Sequence, residues 1–560
     1  MKGSNPQQKQ QPLSEYKVVI AYDFGTTYSG AAYAFTHSKQ TEVFDIQNWP
    51  NKGGNFYPKV PTLSVYPRQN QSEKSSGRPA LSEWGHSAKK VMLKPRAAKQ
   101  NVLLSQFKLQ LDESLQYPPL ENGVTPGQAV SDYLSSLHKH TLQELSRSFA
   151  KNYHPDTFRY CLTVPAVWSD KAKHMMRQSA TQAGLITPSD PHDRLVLVSE
   201  PEAAALYCEE TMTDQVELQD NDRIMICDAG GGTVDLIAYQ VNFTKNSKNS
   251  GESKGRKREL KEVTKGMGES CGSVFLDNLY RELIEAKLGI RVMSKINPRE
   301  LNGMMEFFID TIKSEFNGVD DFFLELPRSV RFEDLPASLR DDDEDGYLDE
   351  GVLKLTGQEL KDQVFDPVIN KVLALIDRQY KEIPDRRLNF LFLVGGFGSS
   401  KYLYQRVWIR FQDTKVQVIS PAERAALAVV RGAAYFGVHP QSVISRVSRR
   451  TYGINIREPF DAKRDPLSKR VVRPDETVDV GLYATEKDTV PRYIDEADVY
   501  RVGNITVNIP KMDNMKKNDK LFYTVRMYFG RTEIRMEADF GTGKIYDVNC
   551  VFDAINNYSF

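Results

Sequence analysis

The sequence predicts an α/β chain followed by a small β-rich unit, and three observations predict it. A strand, glycine turn, strand pattern occurs twice, from Tyr16 to Phe35 and from Met225 to Tyr239. Around these two hairpins, apolar strands alternate with segments of helical period, which is how α/β folds are built. After about residue 450 the helical patterns give way to short alternating runs.

Residues 1–15 are polar and read as a disordered N-terminus. Tyr16-Lys-Val-Val-Ile-Ala-Tyr22 is a strand, Asp23-Phe-Gly-Thr-Thr-Tyr-Ser-Gly30 a turn, and Ala31 to Phe35 the return strand. Residues 36–80 carry turn signals and polar runs around a strand at Thr62–Tyr66, and read as loops of a peripheral subdomain. Lys108 stands alone in an apolar stretch, Leu103 to Leu111, where a lysine ordinarily snorkels to the surface. Val130, Tyr133, Leu134, Leu137, Leu142 and Leu145 recur at helical spacing within 126–150. Arg159 to Pro165 is a strand closing on a Val-Pro bend. Trp168 to Ala183 is a helix capped by Ser169 or Asp170 and stopped by Gly184. Leu195–Val198 is a buried strand that passes through Glu200 into a helix.

The stretch Ile226-Cys-Asp-Ala-Gly-Gly-Gly-Thr-Val-Asp235 repeats the first hairpin about two hundred residues later. Glycines let backbone N–H groups approach an oxyanion with no Cβ in the way, and carboxylates at each edge suit a hard, oxygen-liganded cation and an oriented water. One such hairpin fits an ordinary turn with solvated aspartates equally well, whereas two facing each other could hold the phosphates of a nucleotide. Asn242 to Lys261 is a polar, basic excursion, read as a solvated loop. Segments 271–290, 299–316 and 355–379 are helical, and the acidic run Asp341 to Asp345 lacks the spacing of a calcium loop. Leu388–Val394 is a core strand running into Gly395-Gly-Phe-Gly-Ser-Ser400, a third glycine-rich loop suited to a nucleoside against bare backbone. Val416–Ile419 is a further strand, and Pro421 to Ala434 a small-residue helix able to pack closely.

At 560 residues, the chain exceeds one hydrophobic core. With 74 basic and 74 acidic residues it has no global field to recruit nucleic acid or an anionic membrane. Five scattered cysteines without a CxxC pair argue against a disulfide framework or zinc site. No stretch has the composition of a signal peptide or a membrane span. These features describe a soluble cytoplasmic or nuclear protein.

Taken in order, Asp23-x-Gly-Thr-Thr, Val-Pro165, Glu200-Pro, Asp228-x-Gly-Gly-Gly-Thr, Gly395-Gly-x-Gly-Ser and Arg431-Gly-Ala-Ala434 resemble the actin-like ATPase superfamily and, within it, the heat-shock-70 chaperones. The resemblance is to their divergent group-12-like members and fungal counterparts. It implies a two-lobed actin-like (ribonuclease H-like) ATPase domain over 16–440, a linker over 441–450 and a reduced β-rich unit over 451–560. It further implies ATP/ADP and Mg²⁺ as cofactors, slow hydrolysis, protein clients or co-chaperones as partners, and a monomer. By the same resemblance, Asp23 and Asp228 hold hydrated Mg²⁺, while Gly25, Thr26, Thr27, Gly230, Gly231, Gly232 and Thr233 face phosphate. Lys108 takes the place of a catalytic lysine, Glu200 positions metal-bound water, and Asp235 orients or deprotonates the attacking water. Gly395, Gly396 and Ser399 face adenosine.

The sequence departs from the family at three places. The adenine-facing helix offers Asp310, Lys313 and Ser314, so the family's stacking arginine is missing. Gly266 to Gly272 replaces a paired-glycine loop. The linker Val443-Ile-Ser-Arg-Val-Ser-Arg-Arg450 is basic where the family's is acidic and leucine-rich, which argues against the usual coupling to a peptide clamp. Two functions are therefore expected to compete: an ATP-controlled interaction switch, and a nucleotide-binding scaffold with little turnover. A sugar or acetate kinase is disfavoured, because no motif for a phosphate acceptor stands out.

Overall fold

The computed structural model describes residues 16–38, 40–69, 79–112, 117–149, 153–211, 216–244, 257–340, 348–349, 351–421, 425–454, 480–487, 491–496, 498–506, 524–528, 532–539, 545–547 and 549–552. The polar N-terminus 1–15, most of the basic excursion (245–256) and the acidic run 341–347 lie outside the described residues. The chain divides into two compact units. One comprises 1–111, 117–167 and 176–446; the other comprises 112–116, 168–175 and 447–560.

The larger unit is built on two sheets of the same design. In the first, β1 (Val18–Asp23) and β2 (Tyr28–Phe35) form an antiparallel hairpin, with β3 (Val43–Ile46) beyond β2. Strands β4 (Phe158–Val164) and β5 (Leu195–Ser199) extend the sheet in parallel on the side of β1. In the second, β6 (Arg223–Ala229) and β7 (Val234–Thr244) form the hairpin and β8 (Lys257–Glu262) lies beyond β7. Strands β9 (Phe390–Val394) and β10 (Gln417–Ile419) extend this sheet in parallel on the side of β6. The orders 3-2-1-4-5 and 8-7-6-9-10 are thus one topology used twice, the actin-like arrangement. Strands β1, β4 and β9 are buried along their whole length, which explains why their sequences are apolar runs rather than alternations.

Two helices fill the space between the sheets. These are α1 (Glu200–Thr211) and α2 (Ala428–Val438), and their small residues Ala203, Ala204, Ala433 and Ala434 share one core with Val19, Ile226 and Phe392. A Cβ placed on Gly432 would overlap the Ala203 carbonyl, so the two backbones touch there. The close packing expected of this segment is present, but the helix proper starts at Ala428. The tighter turn Ala425–Leu427 precedes it, and residues 422–424 lie outside the described residues.

The linker region also has a place in this unit. Val443–Ser445 forms β11, a parallel edge strand beside β8, and Arg446 pairs with the buried Glu202 of α1. Its basic character therefore has a physical reason: the carboxylate it meets is inside the fold. The smaller unit contains a four-stranded antiparallel sheet (Thr451–Ile454, Val480–Thr485, Val499–Thr506, Asn549–Phe552) and a three-stranded one (Thr524–Tyr528, Arg535–Asp539, Ile545–Asp547). Within this unit the Tyr452 hydroxyl donates to Asp170 at 2.7 Å. Among the described residues no helix is long and apolar enough to cross a membrane.

Two predictions follow from this packing. Gly432→Ala forces the Ala203 backbone away and is expected to cost about 1–3 kcal/mol in urea unfolding. Gly303→Ala, at an exposed helical position with open space around it, is expected to gain up to about 1 kcal/mol; equal effects would contradict the packing. The second concerns His138, in the helix Pro126–Ser148, which shares a 2.8 Å hydrogen bond with the Tyr22 hydroxyl of β1. Burial, aided by Arg194 and Lys139, lowers its imidazole to about 4. The unfolded chain binds that proton near 6.5, so stability is lost as pH falls between these values, by about 2 kcal/mol from pH 7 to pH 5. His138→Asn is expected to lack that part of the pH slope.

Candidate functional site

The chemistry-bearing residues gather where strands end. Asp23 closes β1, Asp228 lies one residue from the end of β6, Glu200 follows β5 at the first turn of α1, and Gly395 follows β9. The carboxyl ends of strands in α/β sheets are where ligands bind, because the chain turns there and leaves backbone groups free.

The two hairpin turns meet face to face. A Cβ on Gly231 would overlap the Thr27 side chain, and one on Gly232 would overlap Thr26 Oγ1 and approach Leu109 at 2.9 Å. Gly272 is equally constrained, since its Cβ would lie 2.5 Å from the Gly231 carbonyl oxygen. Ser273 N–H and Val274 N–H donate to the carbonyls of Gly230 and Gly231, at 3.1 and 2.8 Å. The departure at 266–272 therefore backs the second turn rather than standing apart from it. Gly395 has φ +84°, and a Cβ there would overlap Ala229 O and Asp228 Oδ1, so the third glycine loop is tucked against the end of β6. Thr26 and Thr233 are buried with the turns. Gly25 and Gly230 start the two turns, and each packs on backbone of its own hairpin.

Lys108 is not the surface lysine that its local sequence suggests. It is 2% exposed, and its Nζ lies 2.5 Å from Glu200 Oε1. The turn that carries it is stabilised by burying Phe107, Leu109 and Leu111, which draws the lysine inward with them. Burial raises the Glu200 carboxyl to about 7 against the opposing pull of Lys108, with Asp235 and Asp23 adding to the rise. Asp228 is pushed well above the usual carboxylate range by burial and by the charges of Glu200, Asp23 and Asp235. Asp235 Oδ1 accepts from the N–H of Ala166 at 2.8 Å and of Val167 at 3.3 Å, so the bend after Val164-Pro165 fixes its orientation.

Sequence reasoning missed Lys59. Its Nζ donates to Asp23 Oδ2 at 2.5 Å, while the Thr163 hydroxyl donates to Asp23 Oδ1 at 3.1 Å. The loop it occupies looked peripheral, and only the pairing of Val60–Pro61 with β2 brings it to the centre. The site thus has two buried ammonium groups where the residue pattern offered one.

At the other end of the site, Lys313 Nζ pairs with Asp277 at 2.7 Å, and the Ser314 hydroxyl donates within its own helix to Thr311 O at 3.1 Å. Asp310 lies in the π-helical turn Phe308–Ile312, and its charge is felt at the half-buried Tyr28. Gly396 approaches the Tyr57 hydroxyl, and the Ser399 hydroxyl donates to Gly396 O at 2.7 Å.

The arrangement can cradle an anion on the backbone of two turns and surround it with lysines and carboxylates. Among the described residues no three acidic, imidazole or thiol groups are arranged to bind a metal ion directly. The donor set fits a hydrated divalent cation held through water. A cation beside Asp228 would offset the burial and neighbouring carboxylates that raise its carboxyl, while Asp23 is already shared by Lys59 and Thr163.

No protein-family model matches the chain. It is 24% identical to human heat shock 70 kDa protein 12A, over 96% of this chain and 92% of that protein. It is likewise 24% identical to the mouse 12A protein, over 97% and 93%. With human heat shock 70 kDa protein 12B it shares 24% identity over 84% of this chain and 75% of that protein. Over nearly its whole length the chain is thus similar to the group-12 heat-shock-70 proteins.

Proposed function

We propose that this chain binds ATP with Mg²⁺ between its two glycine turns, hydrolyses it slowly, and uses that cycle to control a protein partner as a heat-shock-70-like switch. The observation that carries this reading is the buried Lys108–Glu200 pair placed beside the abutting turns. A buried ion pair costs desolvation and adds little to stability, and this one stands next to a ready anion cradle, where such perturbed groups cluster.

On this reading the amides of Gly25 to Thr27 and of Gly231 to Thr233 donate to phosphate oxygens, and Thr26 and Thr27 add hydroxyl donors. Asp23 and Asp228 hold the metal through water, and the bound cation supplies charge neutralisation on the phosphate oxygens. Lys108 leans from Glu200 toward the terminal phosphate and balances charge as it develops. Asp235, fixed by the Ala166 and Val167 amides, orients the attacking water and accepts its proton. Such chemistry is mostly positioning, so each of these groups contributes by being held still.

Gly395, Gly396 and Ser399 receive the nucleoside, with Asp310 and Lys313 at its far side. The Lys313–Asp277 pair and the self-satisfied Ser314 make this end a weaker grip than the phosphate end. That observation supports the second reading, a nucleotide-binding scaffold with little turnover. Protein clients or co-chaperones are the partners on either reading, and the compartment is cytoplasmic or nuclear.

Phosphate release by the purified chain tests this. Asp228→Ala and Lys108→Ala are each expected to lower turnover about 100-fold, the usual scale for one charge-stabilising group. Unchanged turnover in both contradicts the site assignment, and tight ATP binding without turnover in the parent chain selects the scaffold.

A further inference from the structure

Lys59 sits where the site's charge balance is decided. Its side chain is buried, 7% exposed, and its stem lies on Gly30 of β2, where a Cβ would come within 3.2 Å of Lys59 Cγ. The following residues are held by Tyr28↔Pro61 and Ser29↔Val60 pairing, and the Thr62 hydroxyl donates to Gly25 O at 2.9 Å. The ammonium is therefore fixed at both ends, by the hairpin below and by Asp23 at 2.5 Å above. Asp23 Oδ1 is taken by Thr163, and Asp228 interacts electrostatically with the same lysine. Of the four buried carboxylates Asp23, Glu200, Asp228 and Asp235, Lys59 compensates one and Lys108 another.

We propose that Lys59 is a built-in cation for the phosphate chain, so that this chain, which takes ATP with Mg²⁺ for turnover, keeps its affinity for a nucleoside triphosphate when divalent metal is withheld. The proposal rests on the nucleotide-binding reading above. A buried, preorganised ammonium interacts strongly with phosphate oxygens because water does not screen it, and it loses little side-chain entropy on binding. A hydrated metal ion competes with Lys59 for the same carboxylate, so filling one weakens the need for the other.

The test is ATP affinity by calorimetry, in excess Mg²⁺ and in EDTA, for the parent chain and Lys59→Met. For the parent, the two affinities are expected to agree within about threefold; for Lys59→Met, EDTA is expected to weaken binding at least about tenfold. A tenfold loss in the parent, or the same ratio in both proteins, overturns the proposal. If Lys59→Met does not fold because Asp23 is left unpaired, the neutral pair Asp23→Asn with Lys59→Met replaces it, as buried ion pairs tolerate such exchange. That double variant is expected to lose about tenfold against the parent in EDTA, and parent-like affinity there overturns the idea. Absence of ATP binding in both conditions overturns the nucleotide reading itself, a result distinct from metal-dependent binding.

Discussion

The structure depends on one close approach, the contact of the Gly230–Thr233 turn with Thr26 and Thr27. Gly231 and Gly232 have no room for a side chain because threonines of the opposite hairpin fill it. That contact fixes the distance between the two sheets at their strand ends, and everything with chemistry is mounted on those ends. It also explains the residue choice. Glycine at these positions serves the turn and the approach together, and the latter would be lost with any Cβ.

The second constraint is electrostatic. Four carboxylates and two lysines are buried around the turns, and burial, with the neighbouring carboxylates adding to it, raises Glu200 and Asp228. An arrangement of this kind stabilises the fold poorly by itself. It becomes sensible when an anion and a cation complete it, because function resides in the site's charges rather than in the fold that carries them. The linker obeys the same logic on a smaller scale, with Arg446 meeting buried Glu202 beside the edge strand β11.

Much of this was legible in the sequence because the signals are local. The hairpins announce themselves by apolar strand, aspartate and glycine in succession, and α2 by its run of small residues. What was not legible depends on contacts between distant segments. Lys108 and Lys59 look like surface lysines in their own neighbourhoods. Their burial comes from Glu200, ninety-two residues after Lys108, and from the pairing of Val60–Pro61 with β2. The engagement of Lys313 with Asp277, which draws on a separate helix, was hidden for the same reason.

The central claim is that the two turns act as one clamp. Amide hydrogen exchange at residues 25–27 and 231–233, followed with and without ATP, tests it most directly. The account predicts that both turns slow together, by about tenfold or more, because each donates to the same phosphate chain. Protection of one turn alone, or of neither while ATP is bound, would contradict it.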